Sequence, residues 1–413
     1  MGRLNTRCTR ESPDPASEAG LPAPTRAGFR RALLDGRAWS ATEPRSPARS
    51  SRFESRAADS RLRRGGSVDP LRSADLRRHV TGGRAVLSRV AKTDSRVGKV
   101  MIMRVFLAGG TGVLGRRLVP HTARGPRPPG DGHDHERGQA ARVGAAGRGR
   151  RGDGRLDAVS VGEAVAKARP EVIVHQMTAI SMAHAGKPDI KHPDRWFATT
   201  NRLRTEGTDH LLAAAEATGV SHFVAQGYAS WNGIRAGGWV KTEQDPLDLL
   251  EGTAAHVGLK ALSRVEDVVL EAGGVVLRYG AFYGPGAIDD QVELVRKRQY
   301  PLVGRATGYS SWVHLDDAAS ATVLAVEQKA RGVFDIVDDE PAPASEWLPH
   351  LAACAGAKQP IRIPVWLVRL PAGDQAVVMM TEGRGFSNAK AKRELGRRLR
   401  HPSWRQGFKE ELK

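Results

Sequence analysis

Cysteine is almost missing from this chain. Cys8 and Cys354 are its only two, too few and too far apart for a disulfide framework or a zinc site, and no metal ligands are expected. Nor is there an apolar run long enough to cross a bilayer, or a secretory signal, so the expectation is a cytoplasmic protein with no membrane contact. Aromatic residues make up only 5% of the chain. They are few in residues 1–100, where Arg, Ser, Pro, Ala and Gly prevail without sustained apolar periodicity. Such a segment cannot bury enough surface to offset the entropy of ordering, which makes it a disordered extension. It holds more than half of the +19 formal charge. A nucleic-acid arm would interleave aromatics for base stacking; here Asp and Glu are scattered among the arginines instead, and no nucleic-acid partner is expected. The same acids count against an organelle transit peptide. Met101 and Met103 stand just before the first good strand, so a start there would leave the preceding residues outside the native protein.

What is present begins at Met103 to Val119, MRVFLAGGTGVLGRRLV. Met103, Val105, Phe106, Leu107 and Ala108 read as a short buried strand, and Val113, Leu114, Leu118 and Val119 then recur at helical spacing. The cluster between them is therefore a strand-to-helix turn. Gly109, Gly112 and Gly115 stand three apart, a spacing that lets the chain bend tightly, lets backbone approach a diphosphate, and lets the helix pack close to its strand. Free N–H groups at the helix start would face the phosphates. Gly109, Thr111, Gly112, Val113, Leu114 and Gly115 are the candidate contacts to a dinucleotide.

The next stretch does not fit. A doubly wound half needs two further buried parallel strands here, near-continuous Val, Ile and Leu. Residues 125–154 are instead GPRPPGDGHDHERGQAARVGAAGRGRRGDG. One reading is a loop. Another is that residues 121–152 are out of frame between two compensating indels, since reading one base later under G/C-ending codons turns parts of them into plausible strand. The position that would choose NAD or NADP falls in this segment.

Sense returns at Asp153, a further candidate cofactor contact. Leu156, Val159, Val161, Val165 and Ala168 form an apolar helical face ended by Pro170, and Val172 to Val174 is a buried strand leading to His175. His175 is either a cofactor contact or a core histidine satisfied by backbone. A helix is expected over Thr200 to Thr218, then a strand Phe223-Val224-Ala225-Gln226. Val275 to Arg278 is another strand, and acids at Asp316 and Asp317 would cap a following helix.

The three-apart glycines resemble those of the short-chain dehydrogenase/reductase superfamily. Gly207-Thr208-Asp209-His210-Leu211-Leu212 is similar to its Gly-Thr-x-x-Leu-Leu signature, with Arg204 where relatives carry Asn and Asn201 one turn earlier. Leu277-Arg278-Tyr279-Gly280-Ala281-Phe282-Tyr283-Gly284-Pro285-Gly286 and Trp312-Val313-His314-Leu315-Asp316-Asp317-Ala318 resemble the extended, atypical branch, the NAD-dependent epimerases and dehydratases. So does Arg393-Glu394-Leu395-Gly396 near the end. The resemblance runs from Met103 to Phe408. It implies an α/β fold, a Rossmann-like doubly wound parallel sheet with a small C-terminal substrate lobe. The core would span residues 101–280, and the lobe, with returning core elements, residues 281–413. It also implies NAD or NADP as cofactor, and adds His175, Gln226, Tyr279 and Tyr283 to the cofactor contacts.

The family's Tyr-x-x-x-Lys, in which lysine lowers the pKa of a proton-moving phenol, is missing: none of the five tyrosines has a lysine four residues later. His256 and Lys260 have the right spacing. If Glu266 is the acid that follows the family's lysine, however, the two positions fall on Gly258 and Leu262. The Ser-Ser that ends the family's preceding strand is Gly227 and Tyr228 here. Tyr228, His256 and Lys260 are the catalytic candidates. Two functions follow: an NAD(P)-dependent oxidoreductase or epimerase/dehydratase moving a hydride on a sugar nucleotide or small carbonyl compound, or a non-catalytic dinucleotide-binding sensor or regulator. The partner expected is a small-molecule substrate, with a homodimer left open.

Overall fold

The computed structural model describes residues 85–94, 99–123, 157–180, 186 and 193–412. Residues 1–84, residues 124–156 and, with them, Asp153 lie outside the described residues.

Six strands form the central sheet: β1 (Ala85–Asp94), β2 (Lys99–Ala108), β3 (Val172–His175), β4 (His222–Tyr228), β5 (Val275–Tyr279) and β6 (Gly332–Ile336), in spatial order from β1 to β6. From β2 onward every neighbour is parallel. Parallel neighbours need crossovers, and the helices that supply them cover both faces. Successive strand residues point to opposite faces. Val105, Leu107, Val174, Val224 and Leu277 therefore meet Leu114 and Leu118 of α1 (Val113–Ala123) together with the small residues Ala318, Ala321 and Ala325. Those alanines belong to a later helix, Leu315–Gln328. Phe106, Ile173, Phe223 and Val276 point the other way, onto Val161 and Val165 of α2 (Ala158–Ala168), Leu211 of α3 (Glu206–Thr218), and Val265 and Val269 of α4 (His256–Glu271).

Within the extension read as disordered, Ala85–Asp94 is a strand, antiparallel to β2 along its whole length, Ala85 opposite Ala108 and Asp94 opposite Lys99. It occupies the edge of β2 where the missing second strand of the nucleotide half is expected. An open edge of that length presents a row of unsatisfied N–H and C=O groups, and β1 satisfies them.

Two expectations are corrected. The helix expected over Thr200 to Thr218 is two helices, Ala198–Arg204 and α3, broken at Thr205, whose ψ is −78° and whose hydroxyl bonds back to the Asn201 carbonyl at 3.0 Å. Such back-bonding bends helices. Asp316 and Asp317 do not cap Leu315–Gln328. Its cap is His314, whose Nδ1 accepts the Asp316 N–H at 3.1 Å. Asp316 instead pairs with Arg117 of α1 at 3.3 Å, while Asp317 accepts the backbone N–H groups of Arg400 and His401 and ties the C-terminal segment to the core.

Beyond β5 the chain builds a second apolar cluster around Tyr283, Trp312, Trp347, Trp404 and Phe408, formed by the helices Asp289–Arg296, Ala344–Cys354, Val365–Thr381 and Trp404–Glu411. Ala281–Tyr283 pairs in parallel with Trp312–His314 beneath it.

Candidate cofactor and active site

At the end of β2 the chain turns through Gly109, at φ +94°, a conformation that only glycine adopts at little cost. A Cβ there would lie 2.5 Å from the Gln176 carbonyl oxygen, and one on Gly115 would lie 2.3 Å from the Gly109 oxygen. The three segments touch backbone to backbone. Thr111 is exposed at the tip, whereas Leu114 is buried in the sheet core and Val113 is half-buried against it. These two therefore offer the bend their backbone N–H groups rather than their side chains. The first turn of α1 carries no acid that would repel an anion.

The end of β3 closes the back of this bend. Gln176 donates its backbone N–H to the Ala108 carbonyl at 2.8 Å and its amide to the Tyr279 hydroxyl at 3.3 Å. Its Oε1 is buried without a partner in the protein, and its backbone carbonyl lies against Gly109. A Cβ-free cradle and an open helix start fit a diphosphate, whereas the orphaned amide oxygen accepts only from a hydroxyl or N–H group of a bound dinucleotide. His175 is buried, and desolvation pushes its imidazole down to about 4, a neutral ring whose Nδ1 accepts the Met177 N–H and whose other nitrogen meets the Leu203 carbonyl. It anchors the helix Ala198–Arg204 to the strand end.

Beside it lies a cluster at the end of β4. The half-buried Tyr228 has the Ser230 hydroxyl, the Trp231 indole and the Arg204 guanidinium as its polar neighbours; burial raises its pKa, and those three oppose the rise. Its ring packs with Trp231, Leu259 and Leu262. Asn201 is 8% exposed, and neither atom of its amide has a partner. It faces α4 at Gly258, where a Cβ would sit 3.7 Å from the amide oxygen.

The orientation of α4 is set by Glu266, which grips Arg278 of β5 through two hydrogen bonds of 2.8 and 2.6 Å, both side chains buried. Gly258, Leu262 and Glu266 thus share one face of the helix. Lys260 is exposed, and the Nδ1 of His256 is engaged with the Leu249 carbonyl at 3.0 Å. The structure brings Tyr228 into the cluster and does not bring Lys260 there.

Three other candidates differ in their surroundings. Tyr279 is buried under the bend, its hydroxyl 2.7 Å from Thr322 and its pKa pushed up to about 12 by burial. Tyr283 is wholly buried in the lobe core, edge-on to His314 and Phe408, so it presents no side chain to a cofactor. Gln226 is half-buried on β4, two residues before Tyr228. Burial raises the pKa of Tyr300 in the lobe, and the Tyr228 phenol adds to the rise. Asn201, Trp231 and Ser230 were not singled out by the sequence as site residues; the one available signal was the polar pair Asn201 and Arg204 on a single helix face.

Among the described residues, His314, Asp316 and His401 bring metal-ligand atoms within 4.8 Å of one another. Both His314 nitrogens are already engaged, Nδ1 with the Asp316 N–H and Nε2 with Glu411 at 3.1 Å. No described helix is long and apolar enough to cross a membrane.

Residues 105–337 match the model of the NAD dependent epimerase/dehydratase family. Over 317 residues the chain is 41% identical to a 3-diazoavenalumate denitrifying reductase from Streptomyces sp, covering 74% of this chain and 99% of that protein. The human epimerase family protein SDR39U1 (isoform 2), crystallised with NADPH, shares the fold at a TM-score of 0.52, with 17% identity over 75% of this chain and 98% of that one. MoeE5, solved with UDP-glucuronic acid and NAD, does so at 0.51, with 20% identity over 75% and 97%. The glycine bend, the parallel sheet and the sequence match converge: this chain belongs to the NAD-dependent epimerase/dehydratase family of extended short-chain dehydrogenase/reductases.

Proposed function

We propose that the protein is an NAD(P)H-dependent reductase that removes nitrogen from an aromatic diazo compound. The observation that carries this reading is the buried Glu266–Arg278 pair: if Glu266 is the acid that follows the family's lysine, the tyrosine and lysine positions are Gly258 and Leu262, neither able to move a proton. Reducing a carbonyl requires a proton on the developing alkoxide, and oxidising a sugar hydroxyl requires a base to take one. An aryl diazonium requires neither. It is a cation that takes a hydride at its terminal nitrogen, and the aryl diazene so formed loses dinitrogen while its hydrogen passes to the ring carbon. Charge and atoms balance with no external acid. The diazo relative, matched over nearly its whole length, supports this choice of substrate.

A reduced nicotinamide, when bound, supplies the hydride. The residues that would hold its dinucleotide are the backbone of Gly109 to Gly115 for the diphosphate, with Gln176 behind. Tyr228, Trp231, Leu259 and Leu262 form an apolar wall beside Gly258, suited to an aromatic ring and able to keep water from a hydrolysable diazonium.

The test is turnover by the full chain. Given NADPH or NADH and an isotope-labelled aryl diazonium carboxylic acid, the protein should consume nicotinamide absorbance and release labelled dinitrogen in equal amounts. Turnover of UDP-sugars in place of the diazo compound, or tight nicotinamide binding with no turnover of either, would overturn the assignment.

A further inference from the structure

One feature of the site has no role in the chemistry above. Arg204 ends the helix Ala198–Arg204, half-buried, and among the described residues its guanidinium makes no hydrogen bond or ion pair. Burial lowers its pKa to about 10, with the Tyr228 phenol opposing. A desolvated guanidinium with no carboxylate to answer it is a costly arrangement in a resting protein. One turn back on the same helix, Asn201 is more than nine-tenths buried with both amide atoms unpartnered, and it faces Gly258 of α4. Residues three apart on a helix are neighbours, and Tyr228, which packs on α4 beside Gly258, is within electrostatic reach of the guanidinium. Donors from three side chains are thus gathered at this end of α4, where the buried acid Glu266 is already paired with Arg278.

We propose that Arg204, Asn201 and Tyr228 form a recognition site for an ionised oxygen on the aromatic substrate, a carboxylate or a phenolate. The proposal rests on the reading of this cavity as the reductase site and adds to it the charge of the molecule admitted. Arg204 supplies the ion pair, with planar donors that match an oxyanion; Asn201 donates its amide N–H, and Tyr228 its hydroxyl. The apolar wall of Trp231, Leu259 and Leu262 takes the ring. The substrate anion satisfies what the resting site leaves open, so a neutral analogue is rejected because it leaves a buried cation unanswered. Arg204 stands where the family carries an uncharged Asn, so this preference would be a property of this chain and of relatives sharing the exchange.

The experiment needs no reaction. Titration calorimetry on the full chain saturated with NADPH compares cinnamate with cinnamamide, and para-nitrophenolate with para-nitroanisole above the phenol's pKa. In at least one pair the charged member should bind at least about tenfold tighter than its neutral isostere. That preference should collapse in Arg204→Met, weaken in Asn201→Leu, and partly return in Arg204→Lys, with NADPH affinity unchanged as the check on folding. Preference in the first pair names a carboxylate, in the second a phenolate. No preference in the wild-type chain, or one that persists in a folded Arg204→Met variant, overturns the proposal. The two readings fail separately: charged ligands preferred with no dinitrogen released would leave the anion site standing and remove the diazo substrate, whereas dinitrogen release with no preference would do the opposite.

Discussion

Gly258 stands over Asn201 with nothing between them: a Cβ built on the glycine would rest 3.7 Å from the amide oxygen and 3.8 Å from the amide nitrogen, ordinary contact distances. The vacancy is therefore not required by the fold. Gly258 lies inside the first turns of α4 with no positive φ to demand glycine. Gly258→Ala should raise stability by about 0.5–1 kcal/mol through helix propensity, read as a higher urea midpoint with unchanged slope. A loss of stability would mean that the space is held open by strain and is not simply spare.

Gly109 is the opposite case. Its φ of +94° and the 2.5 Å approach to the Gln176 carbonyl leave a side chain no room, and the neighbour is backbone that cannot swing away. Gly109→Ala should weaken dinucleotide binding at least about tenfold, since one to a few kcal/mol of strain falls on the turn that faces the diphosphate. Fluorescence titration with NADPH measures this. An unchanged affinity would place the cofactor away from the bend.

The buried pair Glu266 and Arg278 links α4 to β5, each side chain 8% exposed. Removing one partner leaves the other charged and desolvated, so Glu266→Ala should cost about 3–5 kcal/mol, whereas replacing both by Leu and Met should cost much less. Denaturant unfolding of the single and double variants separates pairing from packing. Equal losses would show that volume, not charge, holds α4 in register.

These cases divide what the sequence made legible from what it did not. The strands β2 to β5 and the helices over them follow from runs such as Val172 to Val174 and from helical spacing in Leu114 and Leu118, which are local patterns. The glycine bend is local too. The candidate site depends on orphaned atoms and on which side chains meet, which no local pattern records. Asn201 and Gly258 are far apart in sequence, and nothing in either residue says that they meet. Tyr279 and Tyr283 were expected at the cofactor because the family resemblance places their turn there. Their hydroxyls instead answer Thr322 and Gln176 in one case, and approach the His401 carbonyl at 3.5 Å in the other. The acids at 316 and 317 looked like caps because carboxylates favour helix starts, but the short strand Trp312–His314 delivers the His314 ring to that position first.

Asp335 on β6 supplies a prediction in pH. It is fully buried, neither carboxylate oxygen has a partner, and its own backbone N–H is bonded to Glu243 at 2.9 Å. Burial first, then the nearby Glu243 and Glu266 charges, raise its pKa well above the ordinary 3.8, with Arg278 only partly opposing. The folded chain therefore keeps a proton that the unfolded chain releases once the pH passes that ordinary value. Between the two pKa values the native state binds more protons, so stability falls as pH rises through this window. Asp335→Asn keeps the shape and removes the titration. Relative to the parent it should gain stability at about pH 8, and the gain should shrink as the pH is lowered toward about 4, where the parent no longer has a proton to lose on unfolding. Urea midpoints at several pH values test the slope. Curves that stay parallel across the range would mean that Asp335 is ionised in the fold and is answered there by Arg278, which would also make the Glu266 pair weaker than its geometry indicates.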